Sequence, residues 1–484
     1  MNTKKYLNGS VLPLALMLGG LAFTACADDI QIGKPVDEGA YEVVTRVEGM
    51  LLDTKSNKNA SVIELREDTY ETDIFFRLTK VPNKGVDVKI EVDPAYLEVY
   101  NAEHGTSFEL FPAENVVIER GGALLLAPDE TRSTDVGITL TAFEGMQEDK
   151  TYVLPLCATS ITHGITLQKT AQHAVYLIKD LRAMSDAYKG PDAVKTCLYF
   201  EVNDTNPLNA LEFVLADSGK LFFDEVVLFS ANINWNAETG RVYVYNNPNV
   251  QFLLDNNEQF LQPLRKRGIK VILGILGNHD EAGVAQLSDM GAREFAKELA
   301  AYCYAYNLDG VGFDDEYSGY PNLSNPWLTS KSGAAASRLL YETKKAMPDK
   351  TVMVYYLGSI YSNTIKAVDG VQPGEFVDYA VADYGQTTRP MDGMSLKQCS
   401  GMSIELNRGS GDSSESGARS KREAGYGYYM FFALGHTNSL VSNFSSYRSQ
   451  VARCQSAARG LYEEELLMPT HYYAKNNATR YPLP

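Results

Sequence analysis

The sequence carries no HExxH, no P-loop and no GxSxG. Zinc-protease, nucleotide-hydrolase and serine-hydrolase chemistries therefore have no motif behind them. No GxGxxG follows an early strand-like run, which argues against a dinucleotide site. Cysteines number only 6 in 484 residues and never fall in CxxC spacing. Neither a disulfide framework nor a zinc site is indicated, and buried free thiols are the default for Cys157, Cys197, Cys303, Cys399 and Cys454. Histidines number 6, none at ligand spacing from another. His104, His163 and His173 stand isolated, and no metal or cofactor is expected. Positive charge is in deficit: 44 basic against 61 acidic residues, a net charge of −17. That balance argues against a nucleic-acid partner, which would want a basic patch, and suits a neutral ligand such as a glycan. No low-complexity tract is present.

What the chain does have begins with a targeting segment. Lys4 and Lys5 precede an apolar run from Val11 to Phe23, too short for a comfortable membrane span. Phe23-Thr24-Ala25-Cys26 follows. This resembles a bacterial lipoprotein signal, which implies cleavage before Cys26 and acylation of its thiol and new amine. Asp28 and Asp29 resemble the acidic export tag of Bacteroidetes surface lipoproteins. The expectation is a signal peptide over 1–25, a polar tether over 26–40, and a lipid anchor to the outer membrane at the cell surface as the sole membrane contact.

Residues 41–183 read as an all-β sandwich, with short apolar runs at sandwich spacing. Val86, Val88, Ile90 and Val92 alternate with polar residues, as a strand with one buried face should. Val116 to Glu119 and Leu124 to Leu126 flank Gly121-Gly122, which reads as a hairpin-like turn. YNAEHGTSFELFP from Tyr100 and TYVLPLCATS from Thr151 resemble domain of unknown function 1735, a module that precedes glycosidase domains in lipoproteins. No catalytic constellation is visible there, and a spacer role is expected, with a glycan- or partner-contacting module as the alternative. A linker follows over 184–192, with Gly190-Pro191.

From 193 to 484 the pattern changes to repeated strand, loop and helix. Apolar runs at Cys197–Phe200, Val226–Phe229, Val271–Leu276, Val311–Phe313, Val352–Tyr356, Tyr379–Val381, Met402–Leu406 and Tyr426–Phe432 make eight buried strands. Eight strands with crossovers predict a (β/α)8 barrel, with an open doubly wound sheet as the alternative. Gly409 to Lys421 is polar by composition and is expected to be a mobile loop.

The chemistry concentrates in Leu308 to Tyr320, LDGVGFDDEYSGY. Side chains alternate along a strand, so Gly310, Gly312, Asp314 and Glu316 share one face. The carboxylates come at the C-terminal end, where barrel enzymes place their sites, roughly 6–7 Å apart along the strand. Two acids on one wall cannot flank a glycosidic bond as acid and nucleophile usually do. A 2-acetamido sugar can supply the nucleophile itself. Asp309-Gly310-Val311-Gly312-Phe313-Asp314-Asp315-Glu316 resembles the signature of glycoside hydrolase family 18, and DDEYSGY resembles its endo-β-N-acetylglucosaminidase branch of the H and F1 types. The resemblance spans roughly Lys195 to Thr470. It implies Glu316 as acid/base and Asp314 as the carboxylate that orients the acetamide. Gly312 departs from the family, which carries an aspartate there, and its absence predicts easier ionisation of Asp314.

The resemblance extends to other strand ends. Asn203 after the first strand, Asn232 and Asn234 after the second, and Asn278 after the third are candidate substrate contacts, because amides both donate to and accept from sugar hydroxyls. The resemblance implies that Tyr384 donates to the acetamide oxygen, with Tyr356 in reserve and Gln386 nearby; Tyr428 either floors the sugar or belongs to the barrel core. The expected reaction is retaining hydrolysis of the β-1,4 bond between the two core N-acetylglucosamines of an N-glycan or glycoprotein, by a monomer. A chitinase-like enzyme and a non-catalytic glycan-binding lipoprotein are the alternatives.

Overall fold

The computed structural model describes residues 47–159, 162, 165–167, 172–184, 186–435 and 444–484. The signal segment, Cys26, the tether and His163 lie outside the described residues.

The N-terminal part is two packed sheets. One orders Ile165–Leu167, Val47–Asp53, Thr69–Leu78, Val136–Thr141 and Val116–Ile118; the other orders Ala60–Leu65, His173–Asp180, Tyr152–Thr159, Val86–Val92 and Ala123–Leu126, with Glu109–Leu110 beside Tyr152–Thr159. The alternation read in Val86–Val92 is real: Val86, Val88 and Ile90 are buried between the sheets while Asp87, Lys89 and Glu91 are exposed. Tyr152–Thr159 is buried on both faces because the helix Tyr96–His104 covers its outer side through Tyr96, Leu97 and Tyr100. Gly121-Gly122 does not close a hairpin. Val116–Ile118 pairs with Val136–Thr141, whereas Ala123–Leu126 pairs with Val86–Val92 in the other sheet. Arg120, Gly121 and Gly122 all adopt positive φ, and a Cβ on Gly122 would lie 2.2 Å from the Ile90 carbonyl oxygen. The glycine pair lets the chain cross between layers.

The C-terminal part is a barrel of eight parallel strands: β1 (Lys195–Glu201), β2 (Glu225–Asn236), β3 (Lys270–Leu276), β4 (Gly310–Asp314), β5 (Thr351–Tyr355), β6 (Tyr379–Val381), β7 (Ser400–Glu405) and β8 (Tyr428–Phe432). Ladders run β6-β5-β4-β3-β2-β1-β8-β7, and an Ala380–Cys399 bridge joins β6 to β7 and closes the ring. Arg241–Tyr245 pairs antiparallel with the overhang of β2. The interior holds Cys197, Tyr199, Val227, Ile272, Met353, Tyr355, Tyr379, Val381, Tyr428 and Met430. Outward residues such as Val226, Val311, Phe313 and Val354 join the helices in a second core. The helix Asp289–Ala305 buries Phe295, Leu299 and Cys303 at helical spacing, capped by Ser288.

Gly409 to Lys421 is not simply a loop. Glu415–Glu423 is the crossover helix between β7 and β8; Ser414 accepts from the Gly417 N–H at its N-terminus and Ala418 is buried. A local cap and one buried alanine outweigh a polar composition. The five cysteines from Cys157 onward are free and buried.

The sandwich meets the barrel at the N-terminal ends of its strands. Lys179 reaches Asp349 at 3.1 Å and Glu64 reaches Lys270, the first residue of β3, at 2.6 Å. Asp349 also accepts from the Thr151 and Tyr304 hydroxyls. A cavity of about 760 Å³ lies between the two parts, lined in part by Glu64, Lys179, Glu225, Lys270 and Tyr428. It is at the end of the barrel away from Asp314.

Candidate active site

β4 carries the site because its interior face is bare. A Cβ on Gly310 would sit 2.1 Å from the Thr351 carbonyl oxygen, and one on Gly312 would sit 2.4 Å from Met353 Sδ. Neighbouring strands thus fill the space that side chains on β4 would occupy. Asp314, at the strand's C-terminal end, follows the same face. Asp309, at the other end, is structural: Arg265 donates to it at 2.8 and 3.0 Å and the Val271 N–H at 2.9 Å. Burial opposes its charge, but Arg265 holds it at a pKa of about 2.

Asp314 is 6 % exposed, and its Oδ1 is buried with no hydrogen-bond partner among the described residues. Burial, then the charges of Glu316, Asp315 and Asp383, hold its pKa well above the usual carboxylate range. The easier ionisation expected from Gly312 does not prevail, because desolvation outweighs the loss of one acidic neighbour. Glu316 is half-buried, and burial followed by Asp383 raises its pKa. The direction for both is toward the protonated form.

The turn after Asp314 is fixed from several sides. Asp315 points away from the interior and accepts from the Ser359 N–H at 2.6 Å, with Lys331 at 3.2 Å. Lys331 also donates to the Ser318 carbonyl, and the His279 N–H donates to the Tyr317 carbonyl at 2.6 Å. Gly277 is required where it lies: a Cβ there would come within 2.1 Å of the Glu316 carbonyl oxygen. Tyr317 turns the chain with φ 54°. The half-exposed carboxyl of Glu316 therefore stands on a rigid backbone.

Tyr384 is half-buried against the interior cluster, its ring 5.4 Å from Phe432 and 6.4 Å from Tyr355. Burial, then the charges of Glu405, Asp383, Asp314 and Glu201, push its hydroxyl strongly toward the protonated, donating form. Asp383 Oδ1 accepts from the Tyr355 hydroxyl at 2.5 Å and the Tyr384 N–H at 2.7 Å. Asp314, Glu316, Tyr384 and Asp383 are thus brought together.

Other expected contacts divide. Asn234 accepts from Asn278 at 3.1 Å, and Asn278 is exposed. Asn203 is exposed and accepts from Asn249 at 2.8 Å, while Gln386 is exposed after β6. Asn232 is buried and its amide is spent on the carbonyls of Leu276 and Gly277, which removes it as a free donor. Tyr356 is a correction. It faces the helical layer and donates to the Arg389 carbonyl at 2.7 Å; strand alternation puts Tyr355 inside instead. Of the two readings for Tyr428, barrel core is the one the structure shows. It begins β8, pairs with Lys195 at the base of β1, and stacks on Tyr379 at 4.0 Å, so it lies at the end opposite the mouth. Met353, Tyr355 and Glu405 went unnoticed in the sequence. Alternation along β5 could have found the first two; a buried acid closing β7 had no local signal.

The arrangement supplies a rim carboxyl whose acid form is favoured by burial and Asp383, a buried carboxyl oxygen lacking a partner, and a tyrosine hydroxyl kept protonated. Those are the parts needed to protonate a leaving oxygen while orienting and polarising an amide. A family model whose description reads "-like, N-terminal domain" matches residues 45–165. Endo-beta-N-acetylglucosaminidase F1 of Elizabethkingia meningoseptica is 46% identical over 289 residues, 58% of this chain and 82% of that protein. Endo-beta-N-acetylglucosaminidase of Flavobacterium sp. (strain SK1022) is 33% identical over 261 residues, 53% of this chain and 80% of that protein. The crystal structure of Bacteroides thetaiotamicron EndoBT-3987 with a Man5GlcNAc product superposes with a TM-score of 0.85 at 48% identity, covering 90% of this chain and 99% of that one. With 48% identity to a solved relative across 90% of the chain, and 46% identity to a second relative matched over 82% of its length, the chain belongs to the endo-β-N-acetylglucosaminidase family.

Proposed function

We propose that the protein hydrolyses the β-1,4 bond between the two core N-acetylglucosamines of N-glycans, with retention, using the substrate's acetamide as nucleophile. The observation that carries this reading is the pairing of Glu316, half-exposed and biased toward its acid, with Asp314, whose buried Oδ1 lacks a partner. In the proposed reaction the acetamide N–H donates to Asp314, which turns the acetamide carbonyl oxygen toward the anomeric carbon. Tyr384 donates to the acetamide oxygen and then to the intermediate. Glu316 gives its proton to the departing glycosidic oxygen. As the C–O bond breaks, the acetamide oxygen bonds to the anomeric carbon and forms an oxazoline-type ring. Glu316, now a base, takes a proton from the water that opens the ring. Attack from one face and reopening from the other give net retention.

The relatives support the substrate class. EndoBT-3987 has been crystallised with a Man9GlcNAc2Asn substrate as well as with its Man5GlcNAc product. Oligomannose glycoproteins are therefore the first substrate to try. Asn234 and Asn278 are proposed to meet sugar hydroxyls at the rim, with Asn203 and Gln386 further out. The lipid anchor at Cys26, cell-surface placement and a monomeric state complete the proposal on the sequence alone. Glu316→Gln is the test: it should keep glycan binding and lower hydrolysis by about 10²–10⁴-fold. Turnover near the unaltered rate would reject Glu316 as the acid.

A further inference from the structure

Away from the barrel, the sandwich gathers three side chains that are far apart in sequence. Cys157 pairs across the sheet with Glu91 on one side and with His173 on the other. Paired residues point to the same face of a sheet, and Asp93, two residues beyond Glu91, shares that face. It is the outer face, partly covered by the helix Tyr96–His104. His173 Nε2 lies 2.9 Å from Asp93 Oδ2. The Cys157 sulfur, one imidazole nitrogen and one Asp93 oxygen all lie within 4.8 Å of one another. Tyr96 stacks flat on the imidazole, with centroids 3.7 Å apart and planes 10° apart, and so fixes the ring's orientation.

An Asp–His hydrogen bond beneath a tyrosine would explain two of the three residues. It does not explain a thiol converging on the same point. Cys157 is in no disulfide and is 9 % exposed, and its sulfur converges with one imidazole nitrogen and one carboxylate oxygen. Tetrahedral zinc holds sulfur, nitrogen and oxygen ligands with separations on the order of 3–4 Å, so small side-chain adjustments suffice. A mixed thiolate, imidazole and carboxylate set selects a borderline-soft ion over magnesium or calcium.

We propose that Asp93, Cys157 and His173 bind one zinc ion, with water in the fourth position. Binding deprotonates the Cys157 thiol, and its proton passes to solvent. The ion would clip Val86–Val92, Tyr152–Thr159 and His173–Asp180 together at one end of the sheet. It takes no part in glycan cleavage.

The test uses the mature chain under reducing conditions, titrated with cobalt and then with zinc. One equivalent of cobalt should produce a thiolate-to-cobalt charge-transfer band and tetrahedral d–d bands, and zinc should displace it. Cys157→Ser should abolish the charge-transfer band. Asp93→Asn and His173→Gln, at partly exposed positions, should each weaken zinc binding at least about tenfold. Hydrolysis of glycoprotein should be unchanged in all three, which reports that they fold. If Cys157→Ser does not fold, the other two variants still decide the matter. Absence of a charge-transfer band in the unaltered protein, its persistence in Cys157→Ser, or equal stabilisation by magnesium would each overturn the proposal.

Discussion

The two ends of the barrel hold the same kinds of residue and treat them in opposite ways. At the base, buried and half-buried acids are paired with cations. Asp309 has Arg265, Asp378 has Lys344 at 2.9 Å, Asp349 has Lys179, and Glu64 from the sandwich has Lys270. Burial opposes each charge, yet the partners pull all four carboxyl pKa values down. At the mouth, Asp314, Glu316 and Asp383 cluster with one another, and Asp314 and Glu316 are pushed up. Glu225 at the base differs: burial raises its pKa despite Lys270, Lys195 and the Tyr379 hydroxyl, which pull the other way. Two of the ion pairs at the base join the sandwich to the barrel; crowding of Asp314, Glu316 and Asp383 favours the protonated forms that the chemistry needs. A charged residue's meaning in a barrel thus depends on which end of its strand it occupies.

Several variants would break or sharpen that contrast. Tyr384→Phe at the mouth should lower kcat/KM about 100-fold, measured on an oligomannose glycoprotein, while Tyr428→Phe at the base should leave it within about threefold. Equal effects would erase the distinction between the ends. Next, Arg265→Ala should cost about 3 kcal/mol of stability by stranding Asp309. Activity per folded molecule should be unchanged when denaturation and turnover are measured on one preparation. Asp314→Asn should instead stabilise, and its advantage should grow with pH. The sign follows from the direction of the shift. Asp314 binds its proton more tightly folded than unfolded, so the unaltered protein loses stability as pH rises from the unfolded carboxyl range through the folded pKa. Asp309 contributes the reverse, stability that is present above about pH 4 and lost as pH falls toward its folded value. Last, Asp383→Asn should move the alkaline limb of kcat/KM to lower pH, because it removes a negative charge that helps Glu316 keep its proton.

Much of this was legible in one strand. The spacing of Gly310, Gly312 and Asp314 put the bare face and the acid on one side of β4, and the fold uses that side as its interior. Eight apolar runs were enough for a barrel because each β strand there is buried on both faces. What could not be read was register. Tyr356, the fallback for Tyr384 at the end of β5, faces outward while Tyr355 faces inward, since a shift of one residue reverses every side chain. For Tyr428 the resemblance left the sugar floor and the barrel core both open; as the first residue of its strand it lies in the core. Gly409 to Lys421 hid a helix whose stabilising contacts come from Gly460 and its neighbours, far along the chain. Convergence of Asp93, Cys157 and His173 was invisible for the same reason, since strand pairing, not spacing, creates it.

Gly312 was the sequence's clearest departure from its family, and Met353 gives it a physical sense. The thioether occupies the space an aspartate would need, and the Tyr199 hydroxyl contacts the sulfur at 3.4 Å. The pocket beneath Asp314 is filled by packing rather than by a second acid.

The central claim is that the sugar's own amide makes the first bond. The most direct measurement compares a core glycan bearing the ordinary acetamide with one bearing a trifluoroacetamide at the same sugar. Fluorination weakens the carbonyl oxygen as a nucleophile and leaves the leaving group untouched. The account predicts that kcat/KM falls at least about 100-fold, with no sugar attached to the protein during turnover. An unchanged rate, or a glycosyl adduct on the protein detected by mass spectrometry, would contradict it.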